Sequence, residues 1–503
     1  MYEDIRVPYQ ASDCLTIQLG GILVHNKLLE NALVNLVLKS FNRHGLIAGA
    51  TGSGKTKTIQ VLSEQLSSQG VPVLVMDIKG DISGLALSGD SNTAIETRCQ
   101  QLDITFVPRG YPVEFLTLNP SHPGIPIRAT VDEFGPLLFS RMLDLNEAQE
   151  GLITVLFEYA KQEKLPLVEL SDVKTVLRFM QTNEEKKAFE TRFGSVSQAS
   201  IGIIVRKIIE LENQGGADFF GEPAYRVSDL IKTNAQGLGV ISILRLSDMQ
   251  DKPKLFSTFM LKLLSDIYRQ MPELGDPEKP ELVIFIDEAH LTFSNASKAL
   301  LNLLDTIVKL IRSKGVGLIF CTQTPNDIPD NILSQLGLKI QHALRAFTAK
   351  DRSAMKLIAQ NFPLSDHYQT EQLLTSLATG EALVSALDNK GQPTPLIQCM
   401  IRPPTSRMGC LSDIELEGIV SSSKLYPYYA NRLENRSENE LLNDNKLKQN
   451  QSTNDSVTNE DIQPEAPSII SSLSKNTLFR QLVRQFVRDI TRAVISVFKN
   501  QKR

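Results

Sequence analysis

Gly49-Ala50-Thr51-Gly52-Ser53-Gly54-Lys55-Thr56 is the stretch on which the reading of this chain turns. It has the form G-x-x-x-x-G-K-[ST] of a phosphate-binding loop. Glycine lets the backbone curl so that successive N–H groups converge on an anion. Lys55 then offers a point charge to the β- and γ-phosphates, and Thr56 a hydroxyl to Mg²⁺. The flanks agree. His44 to Ala48 reads as a short buried strand, and Lys57 to Gln69 as an amphipathic helix with Ile59, Leu62 and Leu66 on one face. Its N-terminal dipole favours an anion. A glycine-rich turn with no ligand is the plain alternative, and the strand–loop–helix context counts against it. ATP and Mg²⁺ are therefore the expected cofactors.

The rest of the composition is that of an ordinary soluble globular protein, with 42% apolar and 22% charged residues. A length of 503 residues allows several cores. The net charge of −4 exerts no overall pull toward nucleic acid or anionic membrane. The charge is uneven, however. Residues 474–503 carry eight Lys/Arg and one Asp, whereas residues 431–465 carry eight acids and four bases. Cys14, Cys99, Cys321, Cys399 and Cys410 are scattered, with no C-x-x-C, which fits a reducing compartment and argues against a cysteine metal site. The N-terminus lacks the layout of a signal peptide, and no window offers eighteen uninterrupted apolar residues. A cytoplasmic location is the expectation.

Residues 1–41 form an N-terminal extension, where Leu15 to Leu19 alternates like a strand and Leu28 to Leu38 suits helix or strand. Residues 42–120 read as the first part of a parallel α/β core. Val71 to Met76 is an apolar run ending in Asp77, and strand ends are where ligands gather in such sheets. Asp77, Lys79 and Asp81 are thereby expected near the nucleotide, a solvated turn capped by Asp81 being the alternative. Thr105 to Pro108 suggests a further strand. Residues 121–235 repeat apolar positions at helical spacing and are expected to be a helical insertion with its own small core. Residues 236–430 resume the sheet. Residues 431–473 read as a disordered acidic and polar linker, and residues 474–503 as a basic amphipathic helix.

Within the second part, Leu282-Val283-Ile284-Phe285-Ile286 is a buried strand ending in Asp287-Glu288. This is the arrangement expected of a Walker B element, three strands from the loop. Asp287 would orient Mg²⁺ through water, and Glu288 would polarise the attacking water. His290 reads as a packed or capping residue. Val316 to Cys321 runs into Gln323, whose amide can reach a γ-phosphate or the lytic water, or else serves a buried turn. Strands are expected at Lys339 to Ala346 and Glu381 to Leu387. A single phosphate loop needs an opposing cation, which multimeric ATPases borrow from a neighbour. Arg312, Arg345 and Arg352 are in the right half of the core, and each could equally be a surface ion pair.

The strings Asn42 to Thr56, Asp77-Ile78-Lys79-Gly80-Asp81, Phe285 to His290, Arg312 to Gly317 with Thr322-Gln323-Thr324-Pro325, and Gln341 to Thr348 together resemble the YjgR-type branch of the HerA/FtsK superfamily. The resemblance covers roughly residues 40–410. It implies a RecA-like P-loop NTPase core, often a hexameric ring with ATP at subunit interfaces, and relatives that translocate DNA. By motif position it makes Arg312 the trans-acting arginine and Arg345 the second choice. Translocating relatives carry an added N-terminal barrel or DNA-guiding domain, whereas only about forty residues precede the loop here, a departure that counts against DNA translocation but not against ATP hydrolysis. The letters Asp287-Glu288-Ala289-His290 also spell the box of another helicase superfamily, whose arginine-rich Q-R-x-G-R-x-G-R element is missing here.

The expected activity is Mg²⁺-dependent ATP hydrolysis by a homo-oligomer, with DNA as the further partner. The competing expectation is a nucleotide-gated scaffold with little turnover, acting through residues 474–503 on nucleic acid, an anionic membrane or an acidic protein.

Overall fold

The structure is a computed structural model, and it describes residues 2–433 apart from 11–12, 182–189, 250 and 294–297. The chain divides into two units, Met1–Leu442 and Asn443–Arg503. The acidic linker from residue 434 and the whole basic helix expected at 474–503 lie outside the described residues.

Among the described residues the strands form one twelve-stranded sheet. In chain order they are β1 (Thr16–Val24), β2 (Lys27–Val37), β3 (Gly45–Ala48), β4 (Val73–Asp77), β5 (Val113–Thr117), β6 (Ile125–Pro126), β7 (Ile241–Arg245), β8 (Leu282–Ile286), β9 (Val316–Thr322), β10 (Leu338–Gln341), β11 (Glu381–Ser385) and β12 (Ile397–Ile401). Across the sheet the order is β2-β1-β12-β11-β10-β3-β9-β8-β4-β7-β5-β6. From β10 to β6 all pairs are parallel, and from β10 to β2 they are antiparallel. Strands β3, β4, β8 and β9 are buried along their whole length. This is why they read as unbroken apolar runs: helices cover both faces of a parallel sheet.

The principal helices are α1 (Lys55–Ser68), α2 (Thr93–Leu102), α3 (Val131–Met142), α4 (Glu147–Gln162), α5 (Leu170–Phe179), α6 (Gln198–Leu211), α7 (Pro253–Gln270), α8 (Lys298–Ile311), α9 (Ala349–Gln360) and α10 (Asp413–Ser422). Helices α3 to α6 occupy the stretch expected to be helical. Their buried residues, such as Ile153, Val173 and Ile204, belong to the same apolar cluster as Ile47 and Phe285 of the sheet. The expected separate small core is thus one core shared with the sheet.

Four local outcomes differ from the sequence reading or settle it. Only one strand, β9, separates the phosphate-loop strand β3 from the acid-bearing β8, not three. Leu28 to Leu38 is strand. His25 and Asn26 both take positive φ (50° and 59°), which suits the tight hairpin that pairs β2 back on β1. Thr105 to Pro108 forms no strand. Pro108 has no N–H to give a ladder, and the next amide, that of Arg109, bonds to Thr405 O instead. The strand expected over Lys339 to Ala346 stops at Gln341, because His342 and Ala343 turn to support the phosphate loop.

Candidate nucleotide site

Both chemical elements hang from the end of β9. On one side Gly49 N–H donates to Thr322 O (3.3 Å). On the other, Ala289 N–H donates to Cys321 O (2.9 Å). Two strand spacings, about 10 Å, therefore separate the start of the loop from the acids. The loop has a second anchor, Ala50 N–H to Ala343 O (2.8 Å). Gly49 has φ +154°, and a Cβ there would stand 2.6 Å from His342 Cβ, so only glycine fits against this support.

Lys55 is buried, and its ammonium donates to Gly49 O (2.6 Å) and Ala50 O (3.2 Å), folded over the loop. Burial, and then the nearby Lys79 ammonium, lower its pKa. The Thr56 hydroxyl donates to Asp81 Oδ2 (3.0 Å), leaving its own lone pairs free. Beneath the loop, His342 Nδ1 faces Glu381 O (2.9 Å) and so carries the proton. Its Nε2 accepts from the Thr58 hydroxyl (2.9 Å). Burial holds this ring neutral, with a pKa of about 4.

Asp287 and Glu288 are both buried. Burial pushes Asp287 up to about 7, the Lys79 ammonium pulling against it and the Glu288 charge adding to it. Glu288 takes φ +45°, unusual for a side chain of its size. Its Oε1 lies 2.5 Å from Lys79 Nζ and its Oε2 3.2 Å from His290 Nδ1. His290 thus faces the candidate base, a position beyond the packing role read from the sequence.

Asp77 is not turned to the phosphate loop. Its carboxylate accepts from Gly80 N–H (2.7 Å) and Ile82 N–H (3.3 Å), buried under the turn that it shapes. Burial, with the Asp81 charge, raises it to about 6. Of the three residues expected near the nucleotide, Asp77 lies beneath this turn, whereas Lys79 reaches Glu288 and Asp81 reaches Thr56.

Two clefts flank the loop. One of about 480 Å³ is lined by Ala50, Thr51, Gln323, Arg345 and Lys350 among others. Gln323 and Arg345, both exposed, are therefore brought to the loop. The other, about 290 Å³, opens beside Gly54 and Lys57, with Arg98 and Arg402 in its walls. Arg312 is elsewhere. It precedes β9 and so lies ~20 Å along the strand from Gln323. It sits with Lys39 and Arg43 around Asp276, 4.0 Å from that carboxylate.

The oxygens here suit a hard cation. Asp81 Oδ1 and Glu288 Oε2 are buried with no hydrogen-bond partner. Thr56 Oγ1, with Asp81 behind it, and Asp287 are the oxygens that would hold Mg²⁺, Glu288 being left for water. Among the described residues no group of three or more His, Cys, Asp or Glu could by itself hold a metal.

The sequence reading gave no role to Glu64. It is buried on α1 and accepts from the amides and hydroxyls of Thr405 and Ser406. Gln60 and Lys57 bond to the same strap at Ser406, Arg407 and Met408. The strap forms a wall of the second cleft. The available signal was a run of polar residues, Thr58, Gln60, Ser63, Glu64 and Ser67, on a helix with few exposed positions. Among the described residues no helix is long and apolar enough to cross a membrane.

Comparison with known proteins bears on the family and the fold. Residues 24–502 match the model of the helicase HerA-like C-terminal family. The DNA double-strand break repair helicase HerA of Sulfurisphaera tokodaii is 24% identical over 383 residues, covering 73% of this chain and 66% of that protein. Its counterpart from Saccharolobus solfataricus is 25% identical over 375 residues, with the same coverage. The chain thus spans just under two thirds of the length of these relatives. Among solved structures, plasmid coupling protein TrwB in complex with ADP and Mg²⁺ matches with a TM-score of 0.53 at 13% identity, covering 81% of this chain and 94% of that one. The unbound TrwB structure gives 0.52 at 14% identity, covering 80% and 93%. At such identity the likeness concerns the fold, a RecA-like P-loop core. With the family model spanning nearly its whole length, this chain belongs to the helicase HerA-like C-terminal family.

Proposed function

We propose that the chain is a Mg²⁺-dependent ATPase that works as a homo-oligomer on DNA. One observation carries the reading: the phosphate loop and the paired acids bracket the end of a single strand, β9. The loop amides and Lys55 bind the phosphates. Thr56 and Asp287 hold the metal, with Asp81 behind Thr56. Mg²⁺, when bound, neutralises charge on the β- and γ-phosphate oxygens. Glu288 accepts a hydrogen bond from the attacking water and draws its proton, and Gln323 senses the γ-phosphate. Arg312 is too far along β9 to serve its own site, which supports a role in a neighbour's. Arg345, beside Gln323, is the alternative cation and would act within its own subunit. DNA as the partner rests on the names of the HerA relatives and on the +7 tail read from the sequence.

Replacing Glu288 with Gln keeps the shape and removes the base. The expected result is ATP binding within about threefold of wild type and turnover lowered by ~10²-fold or more. Undiminished turnover would remove Glu288 from its role. The scaffold reading draws support from the Lys79–Glu288 pair, which occupies the base. A slow rate indifferent to DNA favours it. A DNA-stimulated rate, with salt-sensitive DNA retention lost on deleting residues 474–503, favours the motor.

A further inference from the structure

We propose that Lys79 reads the γ-phosphate, holding Glu288 while that position is empty and leaving it for the phosphate when ATP is bound. This rests on the ATPase reading above and assigns a positioning role to a residue which that reading leaves unused.

The turn after β4 is fixed from below. Asp77 accepts from both Gly80 and Ile82 amides, so the backbone that carries Lys79 has little freedom. Its side chain has more, being 32% exposed against 8% for that of Glu288. Glu288 is the fixed partner. Its φ of +45° is held by neighbouring amide bonds, Asp287 N–H to Met76 O and Ala289 N–H to Cys321 O. A non-glycine residue kept at such an angle is strained, and persists where its surroundings enforce it. The movable member of the ion pair is therefore the lysine.

The charges favour such an exchange. Lys79 stands near enough to Lys55 to be the chief charge lowering the latter's pKa. Two neighbouring ammoniums need an anion nearby. Here Glu288 and Asp287 supply it. The γ-phosphate of ATP is the ligand group that phosphate loops bring to the lysine at the position of Lys55. It offers Lys79 a more highly charged partner, and ADP does not.

The exchange also frees the base. With Lys79 at 2.5 Å, Glu288 Oε1 is already an acceptor for an ammonium, whereas Oε2, with His290 Nδ1 3.2 Å away, makes no hydrogen bond. A water needs one of those oxygens. In ADP the clasp stays closed; in ATP it opens on the side where the water must bind.

The test is equilibrium binding of fluorescent ADP and of a non-hydrolysable fluorescent ATP analogue, each with Mg²⁺, to the full chain. Wild type, Lys79→Ala and Lys79→Arg are compared, with unfolding midpoints to confirm that each is folded. Lys79→Ala is expected to weaken the ATP analogue about tenfold or more, ADP staying within about twofold, and Lys79→Arg to recover most of the difference. Equal weakening of both nucleotides, or no change in either, would make Lys79 a structural anchor and overturn the proposal alone. A wild type that binds neither nucleotide would overturn it together with the ATPase reading.

Discussion

Glu64→Ala should detach the strap over α1 and so loosen one wall of the cleft beside Gly54 and Lys57. Each oxygen of this buried carboxylate accepts one backbone amide and one hydroxyl. Oε2 takes Thr405 N–H and Oγ–H (both 2.8 Å), and Oε1 takes Ser406 N–H (2.9 Å) and Oγ–H (2.5 Å). The hydroxyls can rotate to other acceptors, but the amides cannot. At ~1–3 kcal/mol for each buried donor left unpaired, the loss is about 2–6 kcal/mol. Burial raises the pKa of Glu64, so part of the cost of its charge is recovered on removal, and the lower half of that range is expected. Glu64→Gln retains one oxygen and should cost about half as much. Urea unfolding gives the energies, and amide hydrogen exchange at Thr405 and Ser406 locates them. Those two amides should lose protection in the Ala variant beyond any global change. The reasoning is refuted if Glu64→Ala unfolds within ~0.5 kcal/mol of wild type, or if the two amides stay as protected as the strands.

Two further outcomes follow from the geometry. His44 Nε2 donates to Val308 O (2.7 Å) and Nδ1 accepts from Leu318 N–H (3.1 Å), a neutral ring whose pKa burial lowers to about 4. Its folded pKa lies below the unfolded value, so its contribution is complete above pH ~6.5 and is lost as pH falls toward 4. Between pH 7 and 5 wild type should lose about 2 kcal/mol more than His44→Asn, which has no titrating ring at this position. The difference between the two proteins is the quantity to measure, because Asp77 and Asp287, with raised pKa values, regain stability over the same interval and mask the total. Equal losses would show that His44 is not held neutral. The second outcome concerns Arg312, whose weak contact with Asp276 predicts a stability change below ~0.5 kcal/mol on substitution by Ala. If it acts in trans, an equal mixture of Arg312→Ala and Lys55→Ala chains, each inactive alone, should regain about a quarter of wild-type turnover, the fraction of randomly formed interfaces that are complete. No recovery in demonstrably mixed oligomers would point to Arg345 instead.

What the linear order of residues determined is local. A curled glycine loop, a buried strand ending in two acids and an amphipathic helix are each specified within a dozen neighbours, so Gly49 to Thr56 and Asp287-Glu288 were legible from their own patterns. Tertiary structure decided everything that depends on who stands beside whom. It inserted β9 alone between loop and acids, turned Asp77 inward and Lys79 toward Glu288, bent His342 out of its strand to brace Gly49, and tied Glu64 to a strap more than 300 residues later. The physical reason is that periodicity reports only which face of an element is apolar. A buried polar group satisfies its hydrogen bonds with whatever the chain's path brings within about 3 Å, and that path is set by the packing of the whole sheet.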